Sequence, residues 1–429
     1  MKRRYSGNIT PQMDGESVKI AGWVHDIRDL GKLRFILIRD REGIIQITLP
    51  KKEVSTDVFS KSEELGREWV VEIEGVVKAM DKAPNGYEIL PQKIEILNSS
   101  DSPLPLDPTG KVPADLDTRL DNRIMDLRRH ENLDILKLRS VVLTSVRDFF
   151  LKNDFVEVNT PKLVASATKG GTELFPISYF EREAFLGQSP QLYKQMLMAS
   201  GLDRIFEIAQ IFRAEEHNTR KHLNEAVSID AEAAFCNEED VMKILENLIH
   251  STYSKIIEKH GKEIGSLKNI KVPTCPFERI SYSDAIDELQ SHDLGIQWGE
   301  DFPTIAEKKL GERHSNFYFV TDWPTDIKPF YTMPREEEDI CAAFDLMYRD
   351  VELASGTKRI HDYKLLKERI EAKGLNPQNF TFYLDVFKYG MPPHAGWGLG
   401  LDRLMMVITG VKNIREVVIF PRDRKRLTP

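Results

Sequence analysis

The densest chemistry in the chain lies in residues 206–235, FEIAQIFRAEEHNTRKHLNEAVSIDAEAAF. The first half alternates, which places Arg213 and Glu215 on one face of a strand. The second half alternates too and lines up Ser228, Asp230 and Glu232. Between them a short loop carries His217, Arg220, Lys221 and His222. The spacing predicts a hairpin with cations at its tip and acids plus one arginine on its floor. Burying Arg213, Glu215 and Asp230 without partners would be very unfavourable. Either a charged ligand or a salt-bridge network must balance them, and this stretch alone fits both. The loop cations have the chemistry of phosphate binding.

Three other stretches carry reactive side chains. In QSPQLYKQMLMASG (188–201), Ser189 is placed to cap a helix with Pro190 at its first position, and Gln191 and Lys194 then share a face. In DLMYRDVELASGTKRIHDY (345–363), Asp345, Glu352 and Ser355 are oxygen ligands suited to Mg²⁺ rather than zinc. Gly356 permits a turn that aims Arg359 inward. In HAGWGLGLDRLMM (394–406), Gly396, Gly398 and Gly400 look like half of a dinucleotide fingerprint. That fingerprint needs a βαβ unit with an acid further on, and too little chain follows to build one. The glycines are read instead as a flat floor beneath a ligand, with Asp402 and Arg403 opening an amphipathic helix.

The rest of the chain must position these groups. Its 429 residues are enough for two or three domains, and 41% hydrophobic with 30% charged residues fits a globular protein. The net charge of −8 is a poor prior for nucleic-acid binding, which depends on local patches. Cys236, Cys275 and Cys341 are far apart, without metal-ligand spacing. With no long apolar run and no secretory leader, they suggest a cytoplasmic protein and no membrane. Residues 1–98 read as five short strands with one helix between the third and fourth, an OB-type barrel. Residues 99–130 are rich in Pro, Ser and Asp and read as a linker. Residues 131–429 mix helices and strands without βαβ alternation, which predicts an α+β domain on an antiparallel sheet flanked by helices. In it FVEVNTPKL reads as a strand stopping at Pro161.

Taken together, these stretches resemble the class II aminoacyl-tRNA synthetases, specifically the aspartyl-tRNA synthetase family. FFLKNDFVEVNTPKL resembles the first class motif, FRAEEHNTRKHLNEA the second and GWGLGLDRL the third. SPQLYKQ and SGTKRIH add to the likeness, which covers nearly the whole chain and looks archaeal in length. The resemblance implies a homodimer and two steps: aspartate attacks the α-phosphate of ATP, and the adenylate is then transferred to the tRNA 3′ end. It implies that Arg213 holds the α-phosphate, and Arg403 the γ-phosphate and adenine face. Glu215 would sit near the adenine amino group and His222 near the outer phosphates. Lys194 and Arg359 would clamp the substrate carboxylate, and Ser189, Gln191 and Asp230 its ammonium end. Glu352, Ser355 and Asp345 would hold Mg²⁺. A carboxylate clamp favours aspartate over asparagine, because a neutral amide leaves two buried cations poorly compensated.

In the barrel the resemblance implies that Phe35 stacks on the central anticodon base, with Arg28 and Gln46 beside it. Judged on the barrel alone, Phe35 reads as a core residue. His25 and Pro84 resemble the relaxed members of the family, which charge both tRNA(Asp) and tRNA(Asn) and rely on an amidotransferase downstream. The alternatives are an enzyme strictly specific for tRNA(Asp), or an asparaginyl-tRNA synthetase. Two positions depart from the pattern: Lys169 stands where relatives usually have Glu, with Glu173 nearby, and Ala226 where they often have an aromatic.

Overall fold

The computed structural model describes residues 2–165, 174–216, 219–260, 270–292, 294–336 and 339–429. His217, Lys169 and Glu173 lie outside the described residues. The chain divides into two compact units, Met1–His130 and Glu131–Pro429.

In the first unit, β1 (Ser17–Asp29), β2 (Leu33–Arg39), β3 (Ile44–Pro50), β4 (Val70–Ala79) and β5 (Tyr87–Asn98) close a barrel in the order β1-β2-β3-β5-β4. Alternate residues fill it: Val18, Ile20 and Val24 from β1, Ile36 and Ile38 from β2, Ile45, Ile47 and Leu49 from β3. A helix, Thr56–Glu63, lies between β3 and β4, capped where the Ser55 hydroxyl accepts from the Val58 amide. Residues 99–130 belong to the same unit and form two short helices, Leu116–Asp121 and Arg123–Asp126. Their anchor is the fully buried Asp126, which accepts from Arg119 at 2.8 Å and Arg123 at 2.6 Å.

The second unit is built on an eight-stranded sheet. Its strands are β6 (Val156–Glu157), β10 (Arg204–Phe212), β11 (Glu225–Ala234), β12 (Glu278–Ser281), β13 (Phe317–Thr321), β14 (Ala343–Tyr348), β15 (Val351–Lys358) and β16 (His394–Gly400). Three short strands between them, β7 (Leu163–Val164), β8 (Pro176–Tyr179) and β9 (Arg182–Leu186), form a separate small sheet. The large sheet runs β12-β13-β14-β15-β16-β11-β10-β6. From β13 to β10 neighbours are antiparallel, and one strand is added parallel at each edge. The segment FVEVNTPKL is strand over β6 and again at its last residue, Leu163, where β7 begins. Between the two, Glu207 takes the Thr160 amide and hydroxyl at 3.0 and 2.8 Å and the Lys162 ammonium at 2.6 Å. Those side-chain bonds replace a ladder.

One face of the sheet packs against the helices His130–Lys152, Glu238–His260 and Leu401–Thr409 through Phe150, Phe206, Leu245, Trp397 and Met405. Burying a large side chain of this kind contributes about 1.5–3 kcal/mol. The opposite face is covered at its β13–β14 end by the cluster around Tyr318, Val320, Ala343 and Met347, but is open over β15, β16 and β11, and the site lies there.

Candidate active site and nucleic-acid face

The glycines of β16 explain why that face is open. Ala395, Trp397 and Leu399 point into the core, so Gly396, Gly398 and Gly400 point the other way. In register they stand beside Glu232, Asp230 and Ser228 of β11, and on the other side beside Thr357 and Ser355 of β15. A Cβ on Gly396 would lie 2.1 Å from Glu232 Oε2, and one on Gly398 would lie 3.1 Å from Asp230 Oδ1. The glycines make room for carboxylates.

Around this floor is a cavity of about 730 Å³. Ser189, Gln191, Arg213, Glu215, His222, Ser228, Asp230, Asp345, Glu352, Ser355, Arg359 and Arg403 all line it. Lys194 does not; it lies directly beneath, 3% exposed. Its ammonium donates to Asp230 Oδ1 at 2.9 Å and to the Trp397 carbonyl at 3.0 Å, and stands 3.4 Å from Glu232. Arg359 spends two donors on Glu232, Nε to Oε1 at 2.8 Å and Nη2 to Oε2 at 3.1 Å. Its Nη1 is not used in that pair. Two cations and two carboxylates are thus buried together. Burial alone would raise the Glu232 carboxyl, but Arg359 and Lys194 hold it below its ordinary value. Glu232 falls on the predicted face of β11. Its role as counter-ion to Arg359 had no sequence signal, because the two are 127 residues apart.

Two local expectations change. Arg213 and Glu215 do not share a strand, since β10 ends at Phe212. The Asn224 side chain donates to the carbonyls of Arg213 and Glu215 at 2.7 and 3.0 Å and takes over from the ladder. The two residues still meet, 3.5 Å apart. The helix after Ser189 is capped by Pro190 and runs Gln191–Met198, one residue later than the spacing predicts. Ser189 Oγ accepts only a long bond, 3.4 Å, from the Gln191 amide.

At the other end of the cavity, Arg403 rises from the first turn of Leu401–Thr409. Asp402 pins that turn by accepting from Arg139 at 2.5 Å and from the Val227 amide at 2.9 Å. Arg403 donates to the carbonyls of Glu352 and Lys221 at 2.9 and 3.3 Å, and to His222 Nε2 at 3.0 Å. A guanidinium can only donate, so His222 Nε2 accepts and the ring is neutral, with its proton on Nδ1 towards Thr219 Oγ1. Burial and Arg403 both hold its pKa down. His222 therefore props Arg403 here. Lys221, read as a phosphate-binding cation, is tied to Asp350 at 3.1 Å and lies 3.6 Å from Glu307.

The oxygen cluster depends on a bulge. Asp345 pairs with Ser355 across β14 and β15, but Leu346 pairs with Ala354 and Met347 with Glu352, leaving Leu353 over. The extra residue shifts the alternation by one and puts Glu352 on the same face as Ser355 and Asp345. A regular strand would have turned it away. Asp345 is buried, bonded through Oδ2 to Lys328 at 2.7 Å, and its Oδ1 makes no close hydrogen bond, although the Ser355 hydroxyl faces the same carboxyl. Burial first, then the charge of Glu352, raises its pKa.

The barrel uses the same device. Val24 pairs with Ile38 and Asp26 with Leu37, so His25 is the extra residue of a bulge. Beyond it Arg28 stands opposite Phe35, and Phe35 opposite Thr48, with Leu37 opposite Gln46. Arg28, Phe35 and Gln46 are thereby gathered on the outer face, while Ile36 and Ile38 fill the core. Phe35 is half-buried and takes no part in the core cluster. His25 Nδ1 accepts from Arg39 Nη1 at 2.9 Å, which leaves its proton on Nε2. Arg39 is itself buried and held by both oxygens of Glu68 at 2.9 and 2.7 Å. Pro84 is exposed in the β4–β5 connection, a different segment.

An antiparallel floor with an arginine on the following helix, in a chain that also carries an OB barrel, defines the class. Residues 115–424 match the family model "tRNA synthetases class II (D, K and N)", and residues 18–97 match "OB-fold nucleic acid binding domain". The chain belongs to the class II tRNA synthetases. Within it, the chain is 59% identical to the aspartate–tRNA(Asp/Asn) ligase of Methanocaldococcus jannaschii, over 100% of this chain and 98% of that one. It is 56% identical to the enzyme of the same name from Methanopyrus kandleri, over 100% of both. Among solved structures, asparaginyl-tRNA synthetase from Pyrococcus horikoshii with asparaginyl-adenylate matches with a TM-score of 0.94, 34% identity and 100% of both chains covered. Aspartyl-tRNA synthetase from Entamoeba histolytica matches with a TM-score of 0.89 and 31% identity, covering 100% of this chain and 93% of that one.

Proposed function

We propose that the chain is an aspartate–tRNA ligase that charges both tRNA(Asp) and tRNA(Asn). The observation that carries the choice of amino acid is the buried group Lys194, Arg359, Asp230 and Glu232 at one end of the cavity. Arg359 keeps donors free for a substrate carboxylate, and Asp230 is an acceptor for an ammonium group. Asparagine would bring an amide to the same cations and leave them less well compensated.

In the first step, a carboxylate oxygen of aspartate attacks the α-phosphorus of ATP, and the bond to pyrophosphate breaks. In the second, a hydroxyl of the terminal ribose attacks the aspartyl carbonyl carbon, and AMP departs; the hydroxyl proton leaves with the phosphate. No protein nucleophile is needed. Arg213 supplies charge for the α-phosphate, and Arg403 for the adenine face and γ-phosphate. Glu215 takes the adenine amino group, and His222, by bracing Arg403, acts on the outer phosphates indirectly. Ser189 and Gln191 complete the ammonium end.

Asp345, Glu352 and Ser355 form an oxygen set fit for Mg²⁺, and the Asp345 Oδ1, left without a close hydrogen bond, supports that assignment. Bound there, Mg²⁺ would neutralise phosphate charge.

Acceptance of both tRNAs follows from the tautomer of His25. The two anticodons carry C or U at the third position, and both pyrimidines present an O2 acceptor. A neutral Nε2–H donor suits either, and Pro84 adds no donor to tell them apart. Arg28, Phe35 and Gln46 hold the other bases. An amidotransferase would then convert the Asp-tRNA(Asn). A homodimer is supported by exposed apolar side chains on three successive segments, Leu151 at the end of the helix His130–Lys152, Val156 on the edge strand β6 and Leu163 on β7. The cytoplasm, where charged tRNA is used, is the expected site of action. ATP–pyrophosphate exchange tests the reading: aspartate should drive exchange and asparagine should not, and the reverse order would refute it.

A further inference from the structure

The cavity has a wall of which only Lys328, bonded to Asp345, takes part in the reading above. It is formed by the turn around Ile327 and Lys328, together with Lys373 and Leu375. Lys373 caps the C-terminus of the helix Tyr363–Ala372, and Arg369 lies one turn back on the same side. Both donate to carbonyls of one turn, Lys373 to Asp326 and Arg369 to Thr325 at 3.3 Å. Neither forms an ion pair among the described residues. The nearest acid, Asp326, is exposed and bridges neither of them. The buried Arg369 Nε has no hydrogen-bond partner. Two like charges at this spacing repel, and an anion beside them would relieve that repulsion. Burial, followed by the charge of Arg369, also holds the Lys373 pKa down. The turn then runs on to Tyr331, whose ring lies 5.4 Å from the Arg359 guanidinium, so this wall borders the acyl end where transfer occurs.

We propose that Lys373, backed by Arg369, is a phosphate-binding rim for the last nucleotides of the tRNA 3′ end during transfer. The proposal rests on the two-step reading above. A ribose hydroxyl can reach the aspartyl carbonyl only if its backbone phosphates pass the cavity mouth, and a half-buried ammonium there gives them a contact that the reading above assigns to neither the amino acid nor ATP.

The test is Lys373→Ala in the full chain, with exchange and charging measured side by side. Aspartate-dependent ATP–pyrophosphate exchange should persist, which also shows that the variant folds. The kcat/KM for tRNA should fall by about tenfold, mostly in KM, as for a lost phosphate contact. Lys373→Arg should restore most of the loss. Unchanged charging by Lys373→Ala, or exchange falling in step with charging, would overturn the proposal. Absence of aspartate-dependent exchange in the wild-type chain would instead overturn the functional reading.

Discussion

Replacing Glu232 by Gln should destabilise the second unit and make its stability depend on aspartate. Glu232 is 1% exposed and bonds both forks of Arg359, at 2.8 and 3.1 Å, with Lys194 at 3.4 Å. Removing one partner of a buried pair leaves the other charge uncompensated, at about 3–5 kcal/mol. Gln keeps one acceptor for Arg359, so the lower figure applies, about 3 kcal/mol. A unit of roughly 300 residues has an unfolding entropy of about 0.6 kcal/mol/K, which converts 3 kcal/mol into a fall in Tm of about 5 °C. Saturating aspartate should raise the Tm of the variant more than that of the wild type, because the substrate carboxylate replaces the missing charge. The sign of the pH dependence is fixed by the direction of the shift. The folded Glu232 carboxyl is held below its ordinary 4.5, so its contribution is present above pH 4.5 and is lost as pH falls below it. The gap between wild type and variant should therefore narrow under acid. Differential scanning calorimetry at several pH values, with and without aspartate, reads all three effects. A Tm within about 2 °C of wild type at neutral pH would refute the idea that Glu232 is the counter-ion of Arg359.

His394 is buried between Gln195, 3.2 Å from its Nε2, and the Pro392 carbonyl, 2.8 Å from its Nδ1, and burial pushes its pKa down to about 4. The unfolded chain binds this proton near 6.5, so stability should fall by about 2 kcal/mol between pH 6.5 and 5, a loss that His394→Gln should remove on thermal melts. Gly396→Ala should fail to fold or lose all exchange activity, because its Cβ would lie 2.1 Å from Glu232 and 2.2 Å from the Ala231 carbonyl. Gly398→Ala meets nothing closer than Asp230 Oδ1 at 3.1 Å, so it should fold and raise the KM for aspartate or ATP in exchange assays.

The two β-bulges mark where the sequence stops being readable. Alternation in AVSIDAEAA puts Ser228, Asp230 and Glu232 on one face, and the structure keeps them there. The barrel strands β1, β2 and β4 are equally legible, because most of their alternate residues are buried aliphatics. At Leu353 and His25, however, one extra residue reverses the alternation, and no local residue type announces it. Glu352 and Arg28 reach their faces only through those bulges. Long-range partners were hidden for a different reason. Arg359 and Glu232 are 127 residues apart, and Arg403 and His222 181 apart, while Arg39 meets His25 only because the bulge sets the register of β1 on β2. Each pair also changes what a residue does. His222 becomes a brace for an arginine, and His25 becomes a donor of fixed tautomer.

The most direct test of the central claim is aspartylation of tRNA(Asp) and tRNA(Asn) transcripts, measured side by side with labelled aspartate and asparagine. Both tRNAs should be charged with aspartate at comparable kcat/KM, and neither with asparagine. Rejection of tRNA(Asn), or charging with asparagine, would contradict the account.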